Sequence, residues 1–250
     1  MRLPDFIIGG APRAGTSWLY CLLDRHPDIY MAKPVAPEPK FFLVDDVYER
    51  GLAYYSRTWF AAAEGRALAG EKSADYLESA AAAERIAKDL PSVRLVFILR
   101  EPAERAYSNY LWTKMNGLER EDFGSALALE AQRERELPEK WRFTRPYSYF
   151  SRGLYADLLR PYLDRFAREQ ILVLKHEDIG AAPERLATRL HEFLGISRRP
   201  EDTRGLGVIN ASQKDAIGMP VEVGQALRDR YAEPNRRLAA RLGSDFEPWL

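Results

Sequence analysis

The sequence predicts an α/β fold, a single domain spanning residues 1–250 with a central parallel β-sheet flanked by helices. Three observations carry that prediction. Short apolar runs alternate with stretches of helical periodicity from end to end, with no polar linker between them. One run, Leu95, Val96, Phe97, Ile98 and Leu99, is continuously apolar, as in a parallel strand covered on both faces. The first run, residues 6–8, ends in two glycines, and a third, Gly15, stands immediately before an apolar helix pattern.

That first junction organises the rest. Backbone N–H groups at a helix start lack intrahelical partners, and the helix dipole adds partial positive charge there. Glycines let the backbone approach an anion closely. The loop Gly10-Ala11-Pro12-Arg13-Ala14-Gly15-Thr16-Ser17-Trp18 is therefore expected to cradle a phosphate or sulfate. It has the G-x4-G spacing of a nucleoside-triphosphate loop, but Thr16 stands where the lysine belongs. The formal charge comes instead from Arg13, whose planar fork can hold two anionic oxygens.

The remaining elements follow in order. A helix is expected over 16–25, with Trp18, Leu19, Leu22 and Leu23 on one face and His26-Pro27 as the stop. Residues 29–31 read as extended, and Pro34, Pro37 and Pro39 exclude helix from the loop that follows. A helix is expected over 51–60, a strand over 67–71 leading into Lys72-Ser73, and a helix over 78–90 stopped by Pro91. The strand 94–99 ends at Arg100, and Pro102 suits the first turn of the next helix. Beyond it come helices at 123–136, 154–166 and 183–194 and a strand at 171–174. A long loop over 195–218 precedes a last amphipathic helix at 221–242. Residues 117–150, with an alternately basic and aromatic stretch (Trp141, Arg142, Phe143, Arg145, Tyr147), are expected to form an acceptor-side insertion or lid.

Composition narrows the function classes. Lys plus Arg and Asp plus Glu number 37 each, so no global field draws the chain to nucleic acid or an anionic membrane. The lone Cys21 excludes an internal disulfide, and His26, His176 and His191 have no metal-ligand spacing. His176, after the strand at 171–174, is expected to be a neutral structural histidine. No run approaches the ~18 apolar residues of a membrane span, and no signal-peptide pattern precedes the first strand, so a cytoplasmic location is expected.

A second cluster points to the donor. Where a nucleotide kinase has a metal-binding aspartate near a strand end, this chain has Arg100, and Ser108 follows about two helical turns later. Two anion sites suit a nucleotide phosphorylated at both ends. With these residues in place, the sequence resembles the sulfotransferases that use 3′-phosphoadenosine 5′-phosphosulfate (PAPS). The resemblance rests on Pro12-Arg13-Ala14-Gly15-Thr16-Ser17-Trp18-Leu19 and on Leu99-Arg100-Glu101-Pro102 with Ser108. It extends toward the glycosaminoglycan (heparan sulfate) branch and its bacterial relatives through Glu38-Pro39-Lys40-Phe41-Phe42, Glu71-Lys72-Ser73-Ala74-Asp75-Tyr76 and Glu233-Pro234-Asn235-Arg236-Arg237-Leu238.

The resemblance implies a P-loop-like sulfotransferase fold and transfer of a sulfuryl group from PAPS to a hydroxyl or amine. The acceptor would be a carbohydrate, lipid or natural product, the product adenosine 3′,5′-bisphosphate, and no metal would take part. It implies that residues 12–18 hold the 5′-phosphosulfate, with Arg13 where lysine is usual, and that Arg100 and Ser108 hold the 3′-phosphate. Glu38 is then the base, Lys72 lies near the transferred group, and Lys40, Trp141, Arg142 and Arg145 are acceptor-side candidates. The family's basic-glycine signature in the C-terminal cofactor loop is missing, and Lys214 is the nearest substitute. An intracellular enzyme of bacterial type is expected. Two other readings stay open at this point: a divergent P-loop nucleotide kinase and a non-catalytic nucleotide-binding protein.

Overall fold

The structure is a computed structural model that describes residues 1–207, 209, 218–243, 246, 247 and 249. Its architecture grows from β1 (Phe6–Gly10), whose five residues are all buried. β1 is the middle strand of a five-stranded sheet in the order β2-β3-β1-β4-β5, with β2 (Ile29–Met31), β3 (Leu68–Lys72), β4 (Arg94–Leu99) and β5 (Ile171–Lys175). Every pairing is parallel. Strands buried on both faces have no need of alternation, which is why 95–99 reads as one apolar run.

The strand order reverses at β1, so the crevice beyond its carboxyl end is a switch point, the usual ligand position in open parallel sheets. Register decides what stands there. Ile8 pairs with Lys72, and the Ser73 N–H donates to the Ile8 carbonyl at 3.1 Å. The Ala11 N–H donates to the Ile98 carbonyl and the His176 N–H to the Leu99 carbonyl. The glycine loop, the end of β3 and the turn after β5 are thereby tied to one edge.

The helices follow the sequence patterns closely. In α1 (Thr16–Asp24), Trp18, Leu19, Leu22 and Leu23 are buried against Phe6, Ile8, Val96 and Ile98. Two short helices, α2 (Asp45–Tyr48) and α3 (Gly51–Trp59), precede β3. The predicted helix 78–90 is a 3-10 turn, Ala74–Glu78, followed by α4 (Ala80–Asp89), because the Ser79 side chain accepts the Ala82 N–H and starts the α-helix there. After β4 come α5 (Pro102–Met115), α6 (Phe123–Arg135) and α7 (Tyr155–Leu163). β5 leads to α8 (Asp178–Ala181), α9 (Pro183–Leu194), which begins on a proline and ends at left-handed Gly195, and finally α10 (Val221–Leu242). The sequence pattern does not announce α2 and α8, each only four residues long.

The chain groups into two compact units: residues 1–99 with 160–209, and residues 100–159 with 210–250. The first holds the sheet and two hydrophobic layers. One is the α1/α9 layer, and the other an aromatic group in which Phe41 stacks on Tyr55 at 4.3 Å while Phe42 and Phe60 meet Tyr55 edge-on. The second unit packs Tyr107, Tyr110, Phe123, Tyr149, Leu227 and Tyr231 around α5 and α10. Arg105 is fully buried there and donates to the Tyr149 carbonyl. Residues 117–150, expected as an insertion or lid, contribute α6 and Tyr149 to this second core.

Candidate active site

The glycine loop is shaped by two close approaches. A Cβ on Gly10 would stand 2.6 Å from the Leu77 Cβ and 2.9 Å from the Ala74 carbonyl. Gly15 (φ +99°) is the left-handed N-cap of α1, where a Cβ would meet Ile179 at 2.6 Å and His176 Nδ1 at 3.0 Å. His176 braces the loop: its Nδ1 lies 3.0 Å from the Ala14 carbonyl oxygen, which can only accept, so Nδ1 carries the proton. Arg13 is held at φ 67°, in the left-handed region that costs an ordinary residue about 1 kcal/mol or more. Thr16 is buried, and Pro12, Arg13 and Ser17 are half-buried around the loop. The Trp18 ring is buried in the core, and its backbone N–H donates to the Gly15 carbonyl at the start of α1.

Beside this loop stands a compact set of charges. Lys72 ends β3, one residue further along the strand than the sequence pattern indicates, and its ammonium group pairs with Glu38 Oε1. The other oxygen of Glu38 accepts the Ala74 N–H at 3.0 Å. Both acceptor atoms of the carboxylate are thus directed by residues 72–74. Lys40 pairs with Asp75 and is held at φ 48°. Arg13, Lys40 and Arg145 are the non-glycine residues with positive φ among those described, and all three are candidate site residues.

In the second unit, Arg100 precedes α5, and Glu101 caps that helix by accepting the N–H groups of Ala103 and Glu104. The Arg100 guanidinium lies 3.4 Å from Glu104, which Arg228 also approaches at 3.4 Å. The Arg100 carbonyl accepts from the Tyr155 hydroxyl, and Ser108 is buried on α5. Arg145 is committed to Glu134 at 2.5 Å, within a cluster that includes Ser148 and Ser151. Arg142 is exposed and 3.2 Å from Glu139, and Trp141 is half-buried next to Lys140. The Arg145–Glu134 pair ties the loop to α6.

The comparison with known proteins bears on this geometry directly. A family description, sulfotransferase domain, matches residues 3–207. The chain belongs to that family. A mouse heparan sulfate glucosamine 3-O-sulfotransferase 3A1 is 29% identical over 98% of this chain, and the human heparan sulfate glucosamine 3-O-sulfotransferase 6 is 28% identical over 98%. The chain spans 64% of the length of the first and 73% of the second. A sulfotransferase crystal structure from Alicyclobacillus acidocaldarius superposes with a TM-score of 0.80 at 28% identity, over 97% of this chain and 96% of that one. The predicted fold is therefore the sulfotransferase fold, with its five-stranded parallel sheet flanked by helices.

Of the sulfotransferase site residues expected from sequence, the first unit brings together Glu38, Lys72, Lys40 and the start of the glycine loop. Lys214, with residues 210–213, lies outside the described residues. Sequence reasoning passed over Glu71, Ser73 and Asp75, although they flank Lys72. The available signal was the extended alternation: Glu71 on β3 and Ser73 just beyond it point to the face opposite Lys72. No helix among the described residues is long and apolar enough to cross a membrane.

Proposed function

We propose that this protein transfers a sulfuryl group from PAPS to a hydroxyl or amine of a glycan or small-molecule acceptor. The observation that carries the reading is the Glu38 carboxylate, gripped by Lys72 and the Ala74 N–H at the sheet edge where the glycine loop begins. The donor, when bound, supplies an activated sulfuryl group on a 5′-phosphate. Glu38 accepts the proton of the acceptor hydroxyl as that oxygen bonds to sulfur. Lys72 sets positive charge where the bridging oxygen gains negative charge as its bond to sulfur breaks. Arg13 and the amides opening α1 bind the 5′ group, and Arg100 with Ser108 bind the 3′-phosphate.

The residues present fit such a donor. The loop has the bends and close approaches of an anion cradle, and its arginine supplies charge where a kinase loop has lysine. Family membership supports the same donor. Heparan-type glucosamine is the first acceptor class to try, since two of the relatives are named for it. Half-buried Cys21 packs against the core as a small hydrophobe, consistent with a reducing, cytoplasmic setting.

Calorimetry with adenosine 3′,5′-bisphosphate in the presence of a chelator tests the reading. Micromolar or tighter binding, weakened at least tenfold by Arg100→Ala, is the expected result. Preference for Mg-ATP would overturn it in favour of a kinase.

A further inference from the structure

Glu71 has no part in the reaction just described, yet its carboxylate has three hydroxyl donors. It is fully buried. Its Oε1 accepts from the hydroxyls of Tyr55 at 2.8 Å and Tyr76 at 2.9 Å, and its Oε2 from Ser73 at 2.7 Å. Two of those three hydroxyls have a second bond. Ser73 Oγ accepts the Lys40 backbone N–H at 2.9 Å, and the Tyr76 oxygen accepts the Phe42 backbone N–H at 3.2 Å.

A hydroxyl has one proton and two lone pairs, whereas an ionised carboxylate only accepts. Once Ser73 and Tyr76 turn their protons toward Glu71, their lone pairs are left for the loop amides. A single buried carboxylate therefore orients both hydroxyls that anchor residues 40 and 42. The anchor is fixed in turn to the sheet, because the Ser73 N–H is bonded to the Ile8 carbonyl of β1. What it restrains is a strained turn. Lys40 sits at φ 48°, and its carbonyl accepts the N–H groups of Leu43 and Val44. Left-handed backbone at a lysine persists only where its surroundings over-determine it.

We propose that Glu71 is a positioning residue for the Glu38 loop, acting through the Ser73 and Tyr76 hydroxyls on the backbone amides of Lys40 and Phe42. The inference rests on the reading of Glu38 as the base, which lies two residues before Lys40. An ångström of freedom there would spoil proton transfer while leaving nucleotide binding alone. Burial pushes the Glu71 carboxyl up to about 7, against the pull of its three hydroxyl donors, so the ionised form that accepts from all three is kept at an electrostatic cost and prevails above pH 7.

Residue-level amide exchange on the full chain at pH 8, where Glu71 is ionised, tests the proposal. Glu71→Gln should lower protection of both Lys40 and Phe42 amides at least tenfold. Ser73→Ala should affect Lys40 alone, and Tyr76→Phe should affect Phe42 alone. In Glu71→Gln, kcat with PAPS and desulfated heparan sulfate as the probe acceptor should fall at least tenfold with KM for PAPS unchanged. Wild-type protection at both amides in Glu71→Gln, an unchanged kcat, or a loss spread equally over β1 and β4 would overturn the inference. If Glu71→Gln fails to fold, Ser73→Ala and Tyr76→Phe decide it by the same amide pattern. A wild-type protein that does not bind adenosine 3′,5′-bisphosphate would count against the sulfotransferase reading and leave the amide result standing.

Discussion

In the first unit the paired charges are nearly dry: the Lys72 side chain is 6% exposed and Glu38 16%, and they touch directly. In the second unit Arg100 is 23% exposed and Glu104 41%, their nearest atoms 3.4 Å apart, with Arg228 at 44% sharing the same carboxylate. The difference suits the two clusters to different proposed work. A desolvated pair within a bonded frame holds its geometry before any ligand arrives, which suits a base and the cation beside it. A wet, stretched pair contributes about 0–1 kcal/mol, so a phosphate can displace Glu104 from Arg100 at little cost. On the proposed reading, rigid chemistry and exchangeable binding are built from similar residues by differing in water access.

The contrast is broken most severely at the base. Glu38→Ala is expected to lower kcat by roughly 10²- to 10⁴-fold, with bisphosphate affinity within about twofold of wild type. Unchanged turnover in a steady-state assay would remove Glu38 from the mechanism. Next comes Glu71, whose carboxyl stands at about 7 against the ordinary 4.5, so the folded state holds its proton more tightly than the unfolded chain. The resulting stability is complete below about pH 4.5 and is lost as pH rises through 7. Its size is on the order of 3 kcal/mol. Denaturant melts of wild type and Glu71→Gln should show the wild type losing that much relative to the variant between pH 4 and pH 8.

A smaller effect belongs to the glycine loop. Gly15→Ala sets a Cβ 2.6 Å from Ile179 at φ +99°, and a loss of about 1–3 kcal/mol is expected in chemical denaturation. The smallest change sharpens the comparison in the second unit. Glu104→Gln removes the carboxylate that competes for Arg100, so bisphosphate affinity by calorimetry should rise by about two- to fivefold at low salt and converge with wild type at high salt. Equal affinities at low salt would mean that Glu104 does not compete.

The anion loop and the order of strands and helices were legible because each is written over a short span of chain. Gly10, Arg13 and Gly15 fall within six residues, and α1 buries the face that its own periodicity marks. Glu38 and Lys72 stood out as single residues, but their contact crosses 34 positions, and only the parallel register of β1 with β3 brings Lys72 to the loop. Arg145 reads as an acceptor contact from its basic and aromatic neighbours, whereas its partner Glu134 lies on a helix with no local sign of the pairing. Trp18 lies inside the motif, but its ring serves the core.

By itself, the sequence determined the family, the parallel sheet and the glycine loop proposed to bind an anion, because glycine positions, hydrophobic period and helix starts act within a few residues. Tertiary structure alone decided which charges are dry, which are partnered and which carboxylate supports which loop. Those properties depend on exclusion of water by segments far apart in the chain, and Glu71 owes both its raised affinity for a proton and its three hydroxyl donors to that exclusion.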